Sequence, residues 1–492
     1  MGAAPAAPIF FMLSIRSYWF LSTFVLLLLG CERQGDRFTN REPDTIITPI
    51  EINLTGENRL NSVIFISWTG TDQDGFIKGF EISLDNQNWA FTEEYDSIFR
   101  FELESGADTL DIDLYVRAID NEDNVDPTPA LLTIPLKNTP PVAEILERSF
   151  PADTVNLVTT LEWEGTDLDG DETIVKAFLK INDGSWTEID VAQPRISLVP
   201  DDPEATGSVS ATVYYGDALV PSSVSIDGLK LADTNRFYIK VSDIALAEST
   251  PDTSESLYIK EKTSELLVVS GVPLSVSQRY RSRLSMVVSD YDFADYGRDG
   301  NLYMVKFWTP TFDLLLQHYD KLFFISDQSN VTNAISGLDA LMLEFASPSI
   351  QLFSNNSGKS LITTSFAQDQ IITGITSTLP LDSLSSAKGQ ARILPDSVIY
   401  PVVSGNYPDL SPSTVITGAS PFYISADAEP FYRADLTIIP PWQGPNVVGA
   451  RRVNGNNNIY QYFFSVELYK FDKNPTDLET LYDQILNNDF NW

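Results

Sequence analysis

In a chain of 492 residues there is one cysteine, Cys31, and one histidine, His318. A thiolate can attack or ligate, and an imidazole can move a proton near neutral pH, so these are the first two places to look for chemistry. Their scarcity is itself informative. One cysteine excludes an internal disulfide and a cysteine-based zinc or iron–sulfur site, and one histidine excludes a multi-histidine metal centre. Carboxylates, in contrast, abound: 68 acidic residues against 32 basic ones give a formal charge of −36. Such a surface repels nucleic acid, whose binding needs lysine and arginine to neutralise phosphates, so no nucleic-acid partner is expected. It suits a saline or extracellular setting and attracts divalent cations.

The acidic residues that could act together lie in two turns that repeat each other. Ile66-Ser-Trp68-Thr-Gly-Thr-Asp72-Gln-Asp74-Gly75 matches Leu161-Glu-Trp163-Glu-Gly-Thr-Asp167-Leu-Asp169-Gly170, and each is followed by an alternating segment and a second tryptophan, Trp89 or Trp186. Further on, Leu114-Tyr-Val-Arg-Ala-Ile-Asp120 aligns with Phe237-Tyr-Ile-Lys-Val-Ser-Asp243. Short period-two strands broken by Asp, Gly, Asn and Pro predict two β-sandwiches, over residues 44–138 and 139–262. The tryptophan before the acidic turn and the tyrosine of the late strand resemble the core residues of fibronectin type III or immunoglobulin-like modules. The absence of a cysteine pair favours the fibronectin-like version.

In such a sandwich the second-to-third-strand loop and the last hairpin share one end. Asp72 and Asp74 are then expected near Asp120, Asp123 and Asp126, and Asp167, Asp169 and Asp171 near Asp243. Calcium takes six to eight oxygens, which converging carboxylates could supply. Neither loop has the EF-hand spacing, and aspartates in such loops also serve simply as Asx-turns, so calcium stays open as the one cofactor to test, with none otherwise expected.

The stretch MLSIRSYWFLSTFVLLLLGC, ending at Cys31, has one positive charge, an apolar run and a small residue before the cysteine, the layout of a secretory signal. Its tail, Leu28-Leu29-Gly30-Cys31, resembles the lipobox of bacterial lipoproteins, with Leu29 larger than the residue usual there. The resemblance implies a signal peptide over residues 1–31, translation starting at Met12, lipidation of Cys31 and a tether over 32–43. The protein is then expected outside the cytoplasm, lipid-anchored to a bacterial membrane, the outer membrane before others. Two or more acyl chains make such attachment stable, at roughly 0.8 kcal/mol per buried CH2.

From residue 263 to 492 the pattern changes. Leu266–Ser270 and Lys321–Ser326 are continuous apolar runs, as in strands buried on both faces, and helical spacing separates them. Pro310–Asp320 is predicted to be a helix, Asn333–Phe345 a second, and Ser347–Gly358 a short third. The order strand, helix, strand, helix, strand predicts an α/β domain with a mainly parallel sheet. Through "YDKLFFISD", "SGKSLITTS" and "YFFSVELYKFD" it resembles the class I glutamine amidotransferase-like superfamily, with long departures between Leu379 and Asn457. Active members of that superfamily use a cysteine on a strand-to-helix elbow and a later histidine; the corresponding elbow, after Thr364-Ser365, has neither. Ser365 would need a base, and His318 is poorly placed for it by order, while Lys359 fits no recognised Ser–Lys spacing. No catalytic residue is assigned. Ser357-Gly358-Lys359-Ser360 matches the end of a P-loop but follows a helix and opens a strand, the reverse of what phosphate binding needs.

The tract from Pro421 to Tyr462 is rich in aromatic residues and holds adjacent arginines. Tyr423, Tyr432, Trp442, Arg451 and Arg452 are candidates for a face binding an envelope protein or a glycan, with packing into the domain core as the alternative. The function expected is therefore a non-enzymatic, membrane-anchored lipoprotein presenting a binding domain on two sandwich spacers. A cell-envelope hydrolase with a serine or carboxylate site in the last domain is the alternative.

Overall fold

The computed structural model describes residues 40–48, 63–101, 109–151, 153–297, 308–327, 330–332, 339–366, 374–385, 391–395, 397–417, 419–436 and 444–491. Cys31, most of the 32–43 tether and Trp442 lie outside the described residues. Among the described residues, no helix is long and apolar enough to cross a membrane.

The first repeat folds as expected. Strands β1 (Asp44–Ile47), β2 (Val63–Thr71) and β5 (Asp96–Arg100) form one sheet in the order β1-β2-β5. Strands β3 (Ile77–Ser83), β4 (Ala90–Thr92), β6 (Thr109–Asp120) and β7 (Ala130–Lys137) form the other, in the order β4-β3-β6-β7. Alternation sends Ile64, Ile66 and Trp68 from β2, and Leu114, Val116 and Ala118 from β6, into one small core with Phe80 and Ile134. Trp68 meets Phe80 edge-on at 6.2 Å and donates its indole N–H to the Glu94 carbonyl at 3.1 Å. Its aromatic payload is therefore buried without an unpaired donor.

The second repeat is larger. Its five-stranded sheet runs β15-β14-β13-β10-β8, from β8 (Val142–Ile145), β10 (Thr159–Thr166), β13 (Arg195–Pro200), β14 (Gly207–Tyr215) and β15 (Ser225–Leu231). The facing sheet runs β12-β11-β17-β18, from β11 (Ile174–Ile181), β12 (Thr187–Ile189), β17 (Phe237–Asp243) and β18 (Asp252–Thr253). A small third sheet joins β9 (Thr154–Asn156), β16 (Asp233–Asn235) and β19 (Leu257–Lys260).

The C-terminal domain is built on an eight-stranded sheet. Five strands, β20 (Leu266–Ser270), β21 (Asp292–Asp295), β22 (Lys321–Ile325), β25 (Lys359–Thr363) and β33 (Ile459–Phe464), pair in parallel in the spatial order β21-β20-β22-β25-β33. In chain order that is 2-1-3-4-5, the flavodoxin-like doubly wound order. β32 (Val447–Val453), β31 (Ala428–Ala434) and β28 (Ile399–Pro401) then extend the sheet antiparallel, so a parallel majority is joined by an antiparallel edge. Hairpins β23 (Asn330–Thr332) with β24 (Asp339–Leu341), β26 (Leu381–Leu384) with β30 (Phe422–Ile424), and β27 (Arg392–Ile393) with β29 (Ile416–Thr417) decorate it.

Both sheet faces are covered. Leu266, Val268, Phe323, Ile325, Leu361 and Phe464 share a core with helices α1 (Leu274–Leu284) and α4 (Pro475–Tyr482). Leu267, Val269, Leu322, Phe324, Ile362 and Phe463 share another with α2 (Asp313–Leu316) and α3 (Met342–Asn355). Two helical expectations need correction. Asp339–Leu341 is a strand, not part of a helix over 333–345, and one helix, α3, replaces the two predicted around Ser347. α3 carries Pro348 inside it at the cost of a backbone hydrogen bond, offset by burial of Leu343, Ala346, Ile350 and Phe353 at helical spacing.

The second core also contains Leu157, Val158, Leu161, Trp163 and the rest of the second sandwich. Packing accordingly divides the chain into two compact units, one ending at Lys137 and the other containing Asn138–Trp492. The division expected at 262/263 lies within the second unit, between two parts that share one core. Hydroxyls of Thr160 and Thr311 meet at 2.6 Å across it, and Lys260 donates to the Phe293 carbonyl at 2.8 Å.

Candidate functional site

Each of the aspartates singled out in the two sandwiches accepts from a protein donor or pairs with a cation, while one oxygen each of Asp72 and Asp126 is buried with no partner among the described residues. Asp120 ends β6 and is fully buried. It accepts hydrogen bonds from the Asn40 amide at 2.6 Å, the Glu122 N–H at 2.8 Å and the Asn124 N–H at 2.9 Å. Burial pushes its carboxyl up, yet the donors of Asn124, Glu122 and Asn40 together hold it below the ordinary carboxylate value. Asp74 receives the Arg41 N–H at 3.2 Å, Asp123 pairs with Lys78, and Asp126 accepts from Thr128. Asp72 accepts the Asp74 N–H at 3.2 Å.

The second sandwich repeats this device. Asp243, also fully buried, accepts from the Asn138 amide at 2.5 Å and the Ala247 N–H at 2.8 Å. Asp169 accepts the Thr139 N–H at 2.6 Å, and Asp167 accepts from the Asp169 N–H and the Thr173 hydroxyl. Asp171 accepts the Asp167 N–H at 2.9 Å. Burial raises the Asp167 carboxyl, with the charges of Asp169 and Asp243 adding to the effect. Among the described residues no group of three or more His, Cys, Asp or Glu is arranged to hold a metal ion. The asparagines Asn40 and Asn138 were missed by sequence reasoning. Their signal was there: Asn40-Arg-Glu-Pro43 and Asn138-Thr-Pro-Pro141 lie just before the first strand of each repeat. Gly75 and Gly170 complete the parallel. A Cβ at Gly75 would lie 2.4 Å from the Asp72 carboxylate, and Gly170 sits at φ 117, where other residues are strained.

In a doubly wound sheet ligands ordinarily bind beyond the carboxyl ends of the strands, where the strand order reverses. Here that place lies between β20 and β22. Ser270, Asp327, Thr364 and Ser365 stand at these ends. Thr364 donates to the Asp327 carbonyl at 2.8 Å and meets the Ser326 hydroxyl at 3.0 Å. The hydroxyls of Ser270, Ser365, Tyr280 and Tyr482 and one Asp327 carboxylate oxygen are buried with no hydrogen-bond partner among the described residues. Burial raises the Asp327 carboxyl to about 7, against the opposing pull of Lys470. Sequence reasoning missed Asp327, although it closes the strand in "FFISD".

His318 and Lys359 are at the opposite end of the same strands. His318 precedes β22, where burial and Lys262 lower its pKa, and Lys359 opens β25 and donates to the Phe490 carbonyl at 2.6 Å. A strand of five residues spans roughly 16 Å, so neither reaches Ser365.

The candidates of the aromatic tract do not form one face. Tyr423 is exposed on β30, whereas Tyr432 is wholly buried on β31 and donates to the Pro408 carbonyl at 2.7 Å. Arg451 pairs with Glu429 at 2.8 Å. Arg452, its neighbour on β32, points elsewhere. Its guanidinium is buried, 2.9 Å from Asp427, and donates to the Thr378 carbonyl at 2.6 Å and to Gln461 at 3.1 Å. It forms one wall of a cavity of about 630 Å3 at the amino ends of the parallel strands. The end of α3 (Gln351, Ser354, Asn355), the starts of β25 and β33 (Lys359, Tyr460) and the turn at Asn454–Asn458 supply the other walls.

No protein-family model matches the chain, and no curated protein matches it. Among solved structures, similar ones include the fibronectin(III)-like modules of CbhA from Clostridium thermocellum, at 16% identity, with 44% of this chain and 94% of that one covered and a TM-score of 0.17. Three N-terminal domains of the highly immunogenic outer capsid protein of bacteriophage RB49 align at 13% identity over 45% and 71% of the two chains, with a TM-score of 0.16. Carbohydrate-binding modules of the β-sandwich superfamily align at 12% identity over 46% and 87%, also with a TM-score of 0.16. TM-scores this low carry no argument about function. What strand pairing shows is β-sandwiches in the first part of the described residues and, after them, an α/β unit whose parallel strands run in the order 2-1-3-4-5.

Proposed function

We infer that this is a non-enzymatic binding protein, held outside the cytoplasm by a lipid on Cys31. The first sandwich serves as spacer, and the second is built into the α/β domain that carries the ligand. The observation that supports this most is the state of Ser365. Its hydroxyl is buried without a partner among the described residues, and both bases considered for it stand at the far end of the strands. An amidotransferase-like ancestry for the domain is supported by the 2-1-3-4-5 strand order and the position of Ser365 after β25.

The test is cross-linking in cells followed by capture, comparing the full chain with a form lacking residues 138–492. A partner or glycan lost with that unit is the expected result, and Cys31→Ser should release the protein from the membrane fraction. Labelling of Ser365 by a fluorophosphonate, abolished in Ser365→Ala, would overturn the reading. A carboxylate hydrolase is the second reading because burial raises the Asp327 carboxyl to about 7, the range suited to a general acid or base. Turnover of any glycan or ester substrate lost in Asp327→Asn would establish it.

A further inference from the structure

We propose that the cavity at the amino ends of the parallel strands is a binding site for a neutral polyhydroxylated ligand, a sugar of one or two rings. This deepens the binding reading above and rests on it. At about 630 Å3 the cavity lies within the roughly 300–1,000 Å3 range of small-molecule sites. What chooses the ligand class is the chemistry of the wall, taken group by group.

Charged ligands are disfavoured from both sides. The two cations are already engaged, Arg452 by Asp427, Thr378 and Gln461, and Lys359 by the Phe490 carbonyl. The two carboxylates balance them. Asp489 accepts from Tyr462 at 2.6 Å, Tyr407 at 2.9 Å and Gln484 at 2.9 Å. An anion entering here would meet Asp427, Asp489 and the negative end of the α3 macrodipole at Asn355. A cation would meet Arg452 and Lys359. An apolar ligand would strip water from amides and hydroxyls and return nothing for them.

A polyol fits because each of its hydroxyls both donates and accepts, and the wall offers both functions. The Gln351 amide nitrogen donates one N–H to Asn355 at 3.4 Å, and its carbonyl oxygen is buried and unpaired among the described residues. The Ser354 hydroxyl, one helical turn along the same face, is likewise buried and unpaired. Buried polar atoms of this kind are costly until something satisfies them, so a ligand that supplies both partners gains that difference. Asn454, Asn458 and Asn491 bring further amides to the rim, and the half-buried Tyr460 ring offers an apolar surface for the C–H face of a sugar.

Saturation-transfer NMR and calorimetry on the full chain would use glucose, N-acetylglucosamine, maltose and cellobiose as probes, with glucuronate and spermidine as charged controls. The expected result is binding of at least one neutral sugar, with the charged compounds weaker by about tenfold or more. Gln351→Leu and Ser354→Leu should each weaken that binding by about tenfold or more at unchanged circular dichroism. Should either variant fail to fold, Asn458→Ala on the exposed turn takes its place. Binding that survives every substitution would overturn the cavity while leaving the binding reading intact. So would a preference for glucuronate or spermidine, or no sugar bound while cross-linking still captures a partner. No sugar and no captured partner would end both.

Discussion

The two sandwiches begin from one sequence pattern and end as different kinds of object. In the first, the pair Phe65 and Ile98, directly opposite on β2 and β5, is exposed at 55% and 66%. The equivalent pair in the second, Thr160 and Ser197 on β10 and β13, is buried at 3% and 0%. A polarity scale alone would have assigned them the other way round. The hydroxyls are buried because they find partners: Thr160 bonds Ser197 at 2.7 Å and Thr311 of the α/β domain at 2.6 Å. The tryptophans differ in the same spirit. Trp68 has its indole donor satisfied by Glu94, while the Trp163 donor has no partner among the described residues. One module closes a core of its own, and the other closes it against a neighbour. Burial of a face is thus a property of what lies opposite, not of the repeat.

The most severe way to break this comparison is to cut the chain. Residues 40–137 and 138–492 should each melt cooperatively alone, whereas 139–262 alone should show no cooperative transition by calorimetry, because its core is completed from the α/β domain. A sharp melt for that middle fragment would undo the distinction. Next in size, Trp68→Ala should destabilise the first module by about 3–5 kcal/mol, with the transition of the second unit unmoved.

Acid and base should separate the units as well. Asp327 has a raised pKa in the folded state, so the stability it contributes is full below the ordinary carboxylate value and lost as pH rises through about 7. Across pH 4 to 7 the second unit should therefore weaken, by a few kcal/mol at most, and Asp327→Asn should flatten that slope. Asp120 has the opposite sign: its pKa is lowered, so its contribution is present above the ordinary carboxylate value and lost only as pH falls below it. Melting curves recorded against pH would show the second transition falling as pH rises from about 4 to 7, and the first falling only as pH drops below about 4.

A smaller effect tests what the two modules still share. Asn40→Ala and Asn138→Ala each strip a donor from a buried aspartate and should cost about 1–3 kcal/mol, the first in the first transition and the second in the other. The smallest expected effect is none. Calcium added after chelation should leave both melting temperatures where they were, since backbone and asparagine donors hold Asp120 and Asp243, the buried carboxylates on which a site would centre. A rise of several degrees in either transition would establish calcium binding for that module.

Period-two alternation around Trp68 and Trp163, and continuous apolar runs at 266–270 and 321–325, were enough to predict sandwiches followed by an α/β domain. Strand identity follows from local burial pattern, which is written along the chain. The lone cysteine and histidine excluded an internal disulfide and a multi-histidine metal centre by count alone. Other features needed the fold. Asn40 and Asn138 acquire meaning only when strand pairing brings Asp120 and Asp243 beside them, across separations of 80 and 105 residues. Tyr432 and Tyr423 read alike in sequence, and only the added antiparallel strands decide that one is core and the other surface. α3 runs through Pro348 because tertiary burial outweighs a local rule. The cavity is the extreme case: Gln351, Lys359, Arg452 and Asp489 share no motif, and a folded sheet alone puts them around one space. Local periodicity sets which elements form; long-range packing, which no short window contains, sets which side chains meet.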